Sequence, residues 1–246
     1  MKNKTHILPK IIAHRGAVIN APENTLTSFR TAAKMGAKWI EFDVQLTGDE
    51  EVVVYHDATL LRLMSLPYRV SCCALSELKS YPFREKLFNH SRESIPTLGE
   101  TLSLAALLGM GVNIELKQTK HNCLLVDRTI SCLQKFWRQD LLTPLISSFQ
   151  VASLEYLSGA YTDYPFALNL SVWPDELPEI IYQRKCVSVH LSKKIASVKR
   201  VAFLQSLNKR VCVFTVNDKL KARALFEMGV AGIFTDNTCL YSLDQI

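Results

Sequence analysis

Short apolar runs of strand-like composition alternate along this chain with segments whose apolar residues recur at helical spacing. Eight such runs begin near residues 11, 39, 112, 145, 166, 186, 211 and 231. Helices are predicted between most of them, at 123–137, 151–157, 196–207 and 219–228, and a further helix is predicted from Leu26 with Asn24 as its N-cap. Strands that alternate with helices form βαβ units and a parallel sheet. The pattern therefore predicts an α/β protein that closes into a (β/α)8 TIM barrel.

One further apolar run, at 52–55, does not fit the alternation, because only a turn around Gly48 separates it from the preceding strand. A connection this short cannot make a parallel crossover, so the two runs are predicted to form an antiparallel hairpin. The hairpin extends the second barrel strand beyond the rim and returns His56 to the level of Glu41. Residues from about 60 to 95 then form a predicted small insertion at the C-terminal rim, with a short helix at 76–80.

The chain contains no Gly/Ser run, Pro-rich stretch or charge block that would separate two domains. We therefore expect one domain over residues 1–246, with the small insertion at about 60–95. The seven cysteines are odd in number, scattered and without a CxxC motif, which indicates reduced thiols and a cytoplasmic protein. No signal-peptide core and no run long enough to span a bilayer is found in the sequence.

The net charge is +6, and part of the basic excess lies between Lys193 and Arg223. This segment is interpreted either as solvated helix faces or as a surface that favours anionic substrates or phospholipids. Aromatic residues are not interleaved with these charges and no nucleic-acid motif is present, so a nucleic-acid partner is discounted.

Three carboxylates occur at inward-facing strand positions. Glu41 and Asp43 are two residues apart on one strand and so share a face, which in a barrel is the interior. Two carboxylates on a buried face repel each other unless a cation lies between them, and Mg²⁺ or Ca²⁺ prefers such oxygen ligands. Glu115, on the third parallel strand, is a third inward-facing carboxylate that could bind the same cation, and Lys117 lies on the same face. The alternatives are outward-facing carboxylates or simple pairing with Arg and Lys.

Two histidines are predicted at the same rim. His14 ends the first strand, where the active sites of barrels assemble, and its neighbour Arg15 can bind phosphate in a forked geometry. His56 reaches the rim through the hairpin. Two histidines that flank one phosphate can activate a nucleophile and protonate a leaving group. Asp57 is expected either to orient His56 or to begin the following turn.

Other polar and aromatic residues near strand ends receive structural interpretations. Asn217 is interpreted as a helix N-cap rather than a ligand, and Asp236 is interpreted similarly. Trp173 either lines the mouth of the barrel or packs beneath the rim.

The ordered motifs together resemble those of the glycerophosphodiester phosphodiesterase family. The matching segments are AHRG at 13–16, PENT at 22–25, EFDV at 41–44, VVYHD at 53–57 and NIELK at 113–117, with looser matches VFTVN at 213–217 and GIFTD at 232–236. The resemblance implies a (β/α)8 barrel with an insertion after the HD motif. It also implies metal-dependent hydrolysis of glycerophosphodiesters, such as glycerophosphocholine or glycerophosphoethanolamine, to sn-glycerol 3-phosphate and an alcohol.

The resemblance also implies roles for individual residues. His14 and His56 become the acid/base pair, and which of the two is the acid stays open. The implied ligands of Mg²⁺ or Ca²⁺ are Glu41, Asp43 and Glu115, and the implied phosphate contacts are Arg15 and Lys117. This chain departs from the family at Phe214, where a tryptophan is common.

Two other functions are consistent with the sequence. One is a phospholipase C or D type enzyme that acts on intact lipids and contacts the membrane peripherally. The apolar lip that it needs would come from the insertion, at Leu60, Leu61, Leu63, Met64, Leu66 and Pro67. The other is a non-enzymatic phosphate-binding barrel. No head group or oligomeric state is predicted.

Overall fold

Eight strands run parallel and close into a barrel, which confirms the predicted fold class. A computed structural model describes residues 8–84, 93–117, 119–138 and 140–245. Over these residues the strands are β1 (Ile11–His14), β2 (Trp39–Leu46), β3 (Val52–Val54), β4 (Gly111–Leu116), β5 (Leu145–Ser148), β6 (Phe166–Leu170), β7 (Cys186–Ser192), β8 (Arg210–Phe214) and β9 (Gly232–Thr235). Pairing runs β1-β2-β4-β5-β6-β7-β8-β9, and β9 returns to β1. β3 is antiparallel to β2, which confirms the predicted hairpin.

Most of the helices cover the outside of the barrel, and two short ones, Leu61–Met64 and Leu75–Ser80, lie in the insertion. The helices are α1 (Leu26–Lys34), α2 (Leu61–Met64), α3 (Leu75–Ser80), α4 (Leu98–Leu107), α5 (Asn122–Phe136), α6 (Val151–Ala160), α7 (Val198–Ser206) and α8 (Lys219–Glu227). α4 has no predicted counterpart. Seven of its ten residues are buried, so its apolar positions extend round most of the helix and show no amphipathic spacing.

The N-cap of helix α1 lies one residue later in the chain than predicted. Thr25 is the N-cap, and its side-chain oxygen accepts a hydrogen bond from the Ser28 amide at 3.2 Å. The prediction of Asn24 as N-cap is therefore wrong. Asn24 has a φ of +58° and turns its amide inward, where it donates to Asp43 Oδ2 at 2.9 Å.

The lower part of the barrel interior is filled by an apolar plug. Its members are Leu8, Ile12, Trp39, Leu145, Ala167, Cys212 and Phe234. Gly111 leaves room for the Trp39 ring, since a Cβ at this position would lie 2.2 Å from the ring. The plug confines polar side chains to the carboxyl ends of the strands, where barrel active sites form.

The insertion packs on β3 through a small core of its own. Leu60, Leu63, Met64 and Leu78 are buried in this core. The predicted helix at 76–80 corresponds to α3. The predicted apolar lip is therefore largely wrong, because its leucines stabilise the insertion and, of these leucines, only Leu61 is strongly exposed. Residues 85–92 of the predicted insertion lie outside the described residues.

Candidate active site

The site is built by consecutive strand ends of the barrel. His14 is the last residue of β1 and lies in register with Glu41 of β2. Asp43, two residues further along β2, lies in register with Glu115 of β4. Parallel pairing and the two-residue repeat of strands thus bring one histidine and three carboxylates to the same end of the barrel.

The three carboxylates form one cluster. Glu41, Asp43 and Glu115 each offer an oxygen atom within 4.8 Å of the other two. Glu41 and Asp43 are buried, and Glu115 is half-buried. Burial, reinforced by repulsion from Asp43, raises the pKa of Glu41 to about 8. Burial would also raise the pKa of Asp43, but Arg15 and Lys117 outweigh it and hold that pKa well below its usual range.

Two cations contact this cluster. Arg15 Nε lies 3.2 Å from Asp43 Oδ2, and Lys117 Nζ lies 2.7 Å from Glu115 Oε1 and 3.3 Å from Asp43 Oδ1. Pairing with Arg and Lys was the alternative to a bound metal that the sequence left open. It is found for two of the three carboxylates, Asp43 and Glu115. Among the described residues Glu41 has no such side-chain partner; it accepts only the Arg15 amide at 3.1 Å and faces His14 Nε2 at 4.0 Å.

The donor set fits a hard divalent cation. Its ligands are oxygen atoms only, and the three carboxylates, when all are ionised, exceed the two contacting cations by one negative charge. These are the properties of sites that bind Mg²⁺ or Ca²⁺. Glu41, Asp43 and Glu115 could therefore hold such an ion.

His14 is tied to a carboxylate that sequence reasoning assigned to a structural role. Its Nδ1 donates to Asp236 Oδ1 at 2.7 Å, because a carboxylate can only accept. Asp236 is held in turn by Asn217, whose Nδ2 donates to Oδ2 at 2.9 Å. Burial alone would lower the pKa of His14, but the hydrogen bond to Asp236 and the negative charges of Glu41 and Asp236 together outweigh it and raise that pKa.

The interpretation of Asn217 as an N-cap is wrong. The cap of α8 is Asp218, whose Oδ1 accepts from the Lys221 amide at 2.7 Å. The one signal that could have revealed the Asp236 contact is barrel closure, which places the end of β9 beside the end of β1.

His56 is tied to a carboxylate on the opposite side of the site. Its Nδ1 donates to Asp57 Oδ1 at 2.7 Å, so Asp57 lies in the orienting position. Arg62 of the insertion donates from Nε to Asp57 Oδ2 at 2.6 Å and from Nη2 to Glu23 at 2.7 Å. Burial, together with the nearby cations Arg15 and Lys117, lowers the pKa of His56. Arg62 and Glu23 were assigned no role from the sequence.

The predicted catalytic and phosphate-binding residues line one cavity of about 180 Å³. Its remaining walls include Phe149 and Phe214, and its floor carries four buried polar side chains, Asn113, Ser147, Asn169 and His190. A larger groove of about 670 Å³ runs between α4 and α5, away from these groups.

Trp173 lies outside the active-site cavity. Its ring packs against Phe203 at a centroid distance of 6.3 Å, and the Arg200 guanidinium stacks over it at 4.9 Å. Of the two predicted placements, the structure shows packing away from the mouth.

Comparisons with known proteins agree with this geometry. The model of the glycerophosphoryl diester phosphodiesterase family matches residues 14–240. A glycerophosphodiester phosphodiesterase of Bacillus altitudinis is 31% identical over 242 residues, which cover 93% of this chain and 95% of that protein. A human lysophospholipase D is 23% identical over 274 residues and covers 96% of this chain and 85% of that protein.

One solved structure is similar over almost the whole chain. It is a phosphodiesterase of Oleispira antarctica in complex with the product sn-glycerol-3-phosphate, 31% identical, with a TM-score of 0.91 and coverage of 97% of both chains. The predicted family and enzyme class are confirmed, and the non-enzymatic barrel is set aside. The match over residues 14–240, on a barrel that carries the motifs of its active site, shows that this chain belongs to the glycerophosphoryl diester phosphodiesterase family.

Proposed function

We propose that this chain hydrolyses glycerophosphodiesters, such as glycerophosphocholine or glycerophosphoethanolamine, to sn-glycerol 3-phosphate and an alcohol. The single observation that carries the proposal is one cavity that contains a three-carboxylate cluster and two histidines, each with its Nδ1 bound to a carboxylate. A divalent cation held by Glu41, Asp43 and Glu115 would polarise the phosphoryl group and balance its charge.

Arg15 and Lys117 supply the positive charge that the protein itself brings to the phosphate. Both line the cavity, and Arg15 Nε is buried and pairs with Asp43 Oδ2 at 3.2 Å without the geometry of a hydrogen bond. Groups held in place before the substrate binds stabilise the charge of the transition state without reorganisation. Both cations also pair with carboxylates of the cluster. The phosphate of a bound diester therefore competes with these carboxylates for the two cations.

His14 and His56 exchange protons with the reacting groups. Because Nδ1 of each ring donates to a carboxylate, Nε2 of each neutral ring is the basic atom. One histidine removes a proton from the nucleophile, which is water or the adjacent glycerol hydroxyl, and the other protonates the departing alcohol. Attack by water gives glycerol 3-phosphate directly, whereas attack by the glycerol hydroxyl gives a cyclic phosphate that water must then open. Asp236 and Asp57 hold the rings in the required tautomer and stabilise their protonated forms.

The direct test uses purified protein stripped with a chelator. Glycerophosphocholine is added with and without Mg²⁺ or Ca²⁺, and glycerol 3-phosphate is detected with a coupled assay. We expect release of glycerol 3-phosphate only when metal is restored. Release of phosphocholine, or turnover that is equal in chelator, would contradict the proposal.

A second candidate substrate is an intact or partly deacylated phospholipid at a membrane. Apolar side chains at the same rim are exposed, with Val172 72%, Val198 63% and Leu220 73% accessible. The chain also contains no acidic residue between Glu179 and Asp218. An apolar and basic rim is suited to peripheral contact with an anionic bilayer. Sedimentation with vesicles of phosphatidylglycerol and phosphatidylcholine tests this: salt-sensitive binding supports it, and the absence of binding contradicts it.

A cytoplasmic location and a single domain complete the proposal. No disulfide is found among the cysteines of the described residues, which suits a reducing compartment. No helix of the described ranges is long and apolar enough to cross a bilayer.

A further inference from the structure

Glu23 lies on the loop between β1 and α1, and the proposed mechanism gives it no role. It is absent from the described residues that line the active-site cavity. The Asn24 amide donates to the Arg15 carbonyl oxygen at 3.0 Å. Thr25 Oγ1 donates to the Pro22 carbonyl oxygen at 2.7 Å, which closes the turn around Glu23. The loop therefore holds the Glu23 carboxylate beside Arg15, at the edge of the site.

The Glu23 carboxylate accepts hydrogen bonds from two arginines. Oε1 accepts from Arg15 Nη1 at 2.9 Å and from Arg62 Nη2 at 2.7 Å, and Oε2 accepts from Arg62 Nη1 at 2.8 Å. Only 15% of the Glu23 side chain is exposed, compared with 45% of the Arg62 side chain. One oxygen atom thus joins a cation of the barrel to a cation of the insertion.

This arrangement depends on the negative charge of Glu23. Burial would raise the pKa of Glu23, but the hydrogen bonds from Arg62 and the charge of Arg15 outweigh it and lower that pKa. Glu23 is therefore ionised near pH 7. Without its charge, the two guanidinium groups that share Oε1 would repel each other in a partly buried place. A neutral side chain of the same size cannot replace the carboxylate.

One branch of this contact orients Arg15. Its Nε pairs with Asp43 Oδ2 at 3.2 Å and its Nη1 donates to Glu23, so Nη2 is the guanidinium nitrogen that makes no hydrogen bond with the described residues. Because the guanidinium is a rigid planar fork, fixing two of its nitrogens also fixes the third. Glu23 thereby orients the group that the proposed function assigns to the phosphate.

The other branch leads to His56. Arg62 donates from Nε to Asp57 Oδ2 at 2.6 Å and from Nη2 to Asp57 Oδ1 at 3.0 Å, and Asp57 accepts from His56 Nδ1 at 2.7 Å. Holding a long, half-exposed arginine in one conformation costs side-chain entropy. The two hydrogen bonds from Arg62 to the less exposed Glu23 offset this cost and keep the guanidinium on Asp57.

We propose that Glu23 is a positioning residue that acts on both halves of the reaction, through Arg15 on the phosphate and through Arg62 and Asp57 on His56. This inference rests on the proposed function, because it takes the roles of Arg15 and His56 from it. Phosphate binding and proton transfer would then depend on one carboxylate that touches neither the substrate nor the metal ligands.

The first arm of the test replaces Glu23 with a neutral side chain of the same shape. Glu23→Gln changes no residue that lines the cavity. We expect metal-saturated kcat for glycerophosphocholine to fall about 10-fold, because charge-assisted hydrogen bonds to both arginines are weakened. We expect the Kd of glycerol 3-phosphate, measured by calorimetry with Mg²⁺, to rise about 5-fold or more, because Arg15 is no longer held toward the phosphate.

The second arm separates the two branches with Arg62→Met. This variant should keep the Kd of glycerol 3-phosphate within about 2-fold of the wild type, because Arg15 keeps its bond to Glu23. When Glu23→Gln is added to Arg62→Met, the Kd should still rise about 5-fold, but kcat should fall only about 3-fold or less. An equal loss of kcat from Glu23→Gln in both backgrounds would overturn the branch to His56.

Glu50→Gln is the matched control, because Glu50 pairs with Arg128 at 3.1 Å and does not line the active-site cavity. Its kcat and Kd are expected to equal those of the wild type. Wild-type kcat and Kd in folded Glu23→Gln would overturn the inference. If circular dichroism shows that Glu23→Gln does not fold, Glu23→Asp replaces it. That variant keeps the charge but is one methylene too short to reach both arginines, and wild-type values in it would likewise overturn the inference.

The outcomes separate this inference from the proposed function. If the metal-loaded wild type does not hydrolyse glycerophosphocholine, the proposed function fails, and binding of glycerol 3-phosphate still tests the branch to Arg15. If the wild type is active and Glu23→Gln behaves like Glu50→Gln, the role of Glu23 fails alone.

Discussion

The two histidines of the active site are held by different parts of the molecule. His14 belongs to the barrel itself, and its partner Asp236 lies just after β9, the strand that closes the barrel onto β1. His56 follows the hairpin, and its partner Asp57 is held by Arg62 of the insertion. One tether therefore depends on barrel closure, whereas the other depends on an added segment that packs through its own small core.

This difference shows that one chemical arrangement, a histidine with its Nδ1 on a carboxylate, can be supported by groups that differ in their exposure to solvent. Within the barrel rim, Asp236 Oδ2 accepts a hydrogen bond from Asn217 Nδ2, and the Asp236 amide donates to Asn217 Oδ1. Asp57 depends on Arg62, whose side chain is 45% exposed and also pairs with Glu23. Solvent screens the second arrangement more strongly.

The largest effect is expected when either imidazole is removed. His14→Ala and His56→Ala should each lower kcat by about 10²–10⁴-fold, because each deletes a group that transfers a proton in the transition state. The measurement is metal-saturated turnover of glycerophosphocholine, with circular dichroism to establish folding. Near-normal turnover by both folded variants would contradict the acid/base roles, and near-normal turnover by only one of them would break the symmetry assumed between the two histidines.

Removing the charge from each tether sharpens the comparison. Asp236→Asn should lower kcat by roughly 10–10³-fold, since an amide can donate to Nδ1 and favour the wrong tautomer. Asp57→Asn should have a smaller effect, because its partner is more exposed and solvent can replace the lost hydrogen bond. Parallel kcat measurements on the two variants check the order, and a larger loss in Asp57→Asn would reverse our interpretation.

A third histidine, His190, has no carboxylate at hydrogen-bond distance among the described residues and offers a contrasting pH dependence. Its folded-state pKa of about 3 lies below the usual 6.5, so below pH 6.5 the unfolded chain binds a proton that the folded chain does not. Stability should therefore fall as pH drops from 6.5 toward 3, by up to about 1.4 kcal/mol per pH unit from this group.

His190→Phe should lack this contribution. The wild type should therefore lose stability relative to the variant as the pH falls. Urea unfolding in chelator at pH 7.5, 6 and 5 measures the difference. A difference that stays constant over this range would show that His190 does not remain neutral in the folded protein.

The smallest effect on kcat is expected from a substitution in the insertion. Arg62→Met removes the clamp on Asp57 and Glu23 but leaves the Asp57–His56 hydrogen bond in place, so kcat should fall only about 3–10-fold. Arg138→Met is the control, because Arg138 makes a comparable exposed pair with Asp140 away from the cavity. Wild-type kcat in Arg62→Met would show that the insertion does not support His56.

Much of the site could be predicted because its residues follow directly from strand periodicity. Glu41 and Asp43 alternate with buried apolar residues on one strand, and His14 and Glu115 end or nearly end others. The contacts of Asp236 and Arg62 could not be predicted in this way, since they join residues 222 and 5 positions apart across a closure and a turn. Helix α4 was missed because it lacks an amphipathic pattern.

The sequence by itself determined the alternation of strands and helices, the hairpin, the family and the residue types of the active site, because periodicity and local motifs act within a few residues. Only the tertiary structure decided which carboxylate orients each histidine, which residue caps α1, and which acidic side chain joins Arg15 to Arg62. Those outcomes depend on barrel closure and side-chain packing, which bring together residues that the chain separates by up to its whole length.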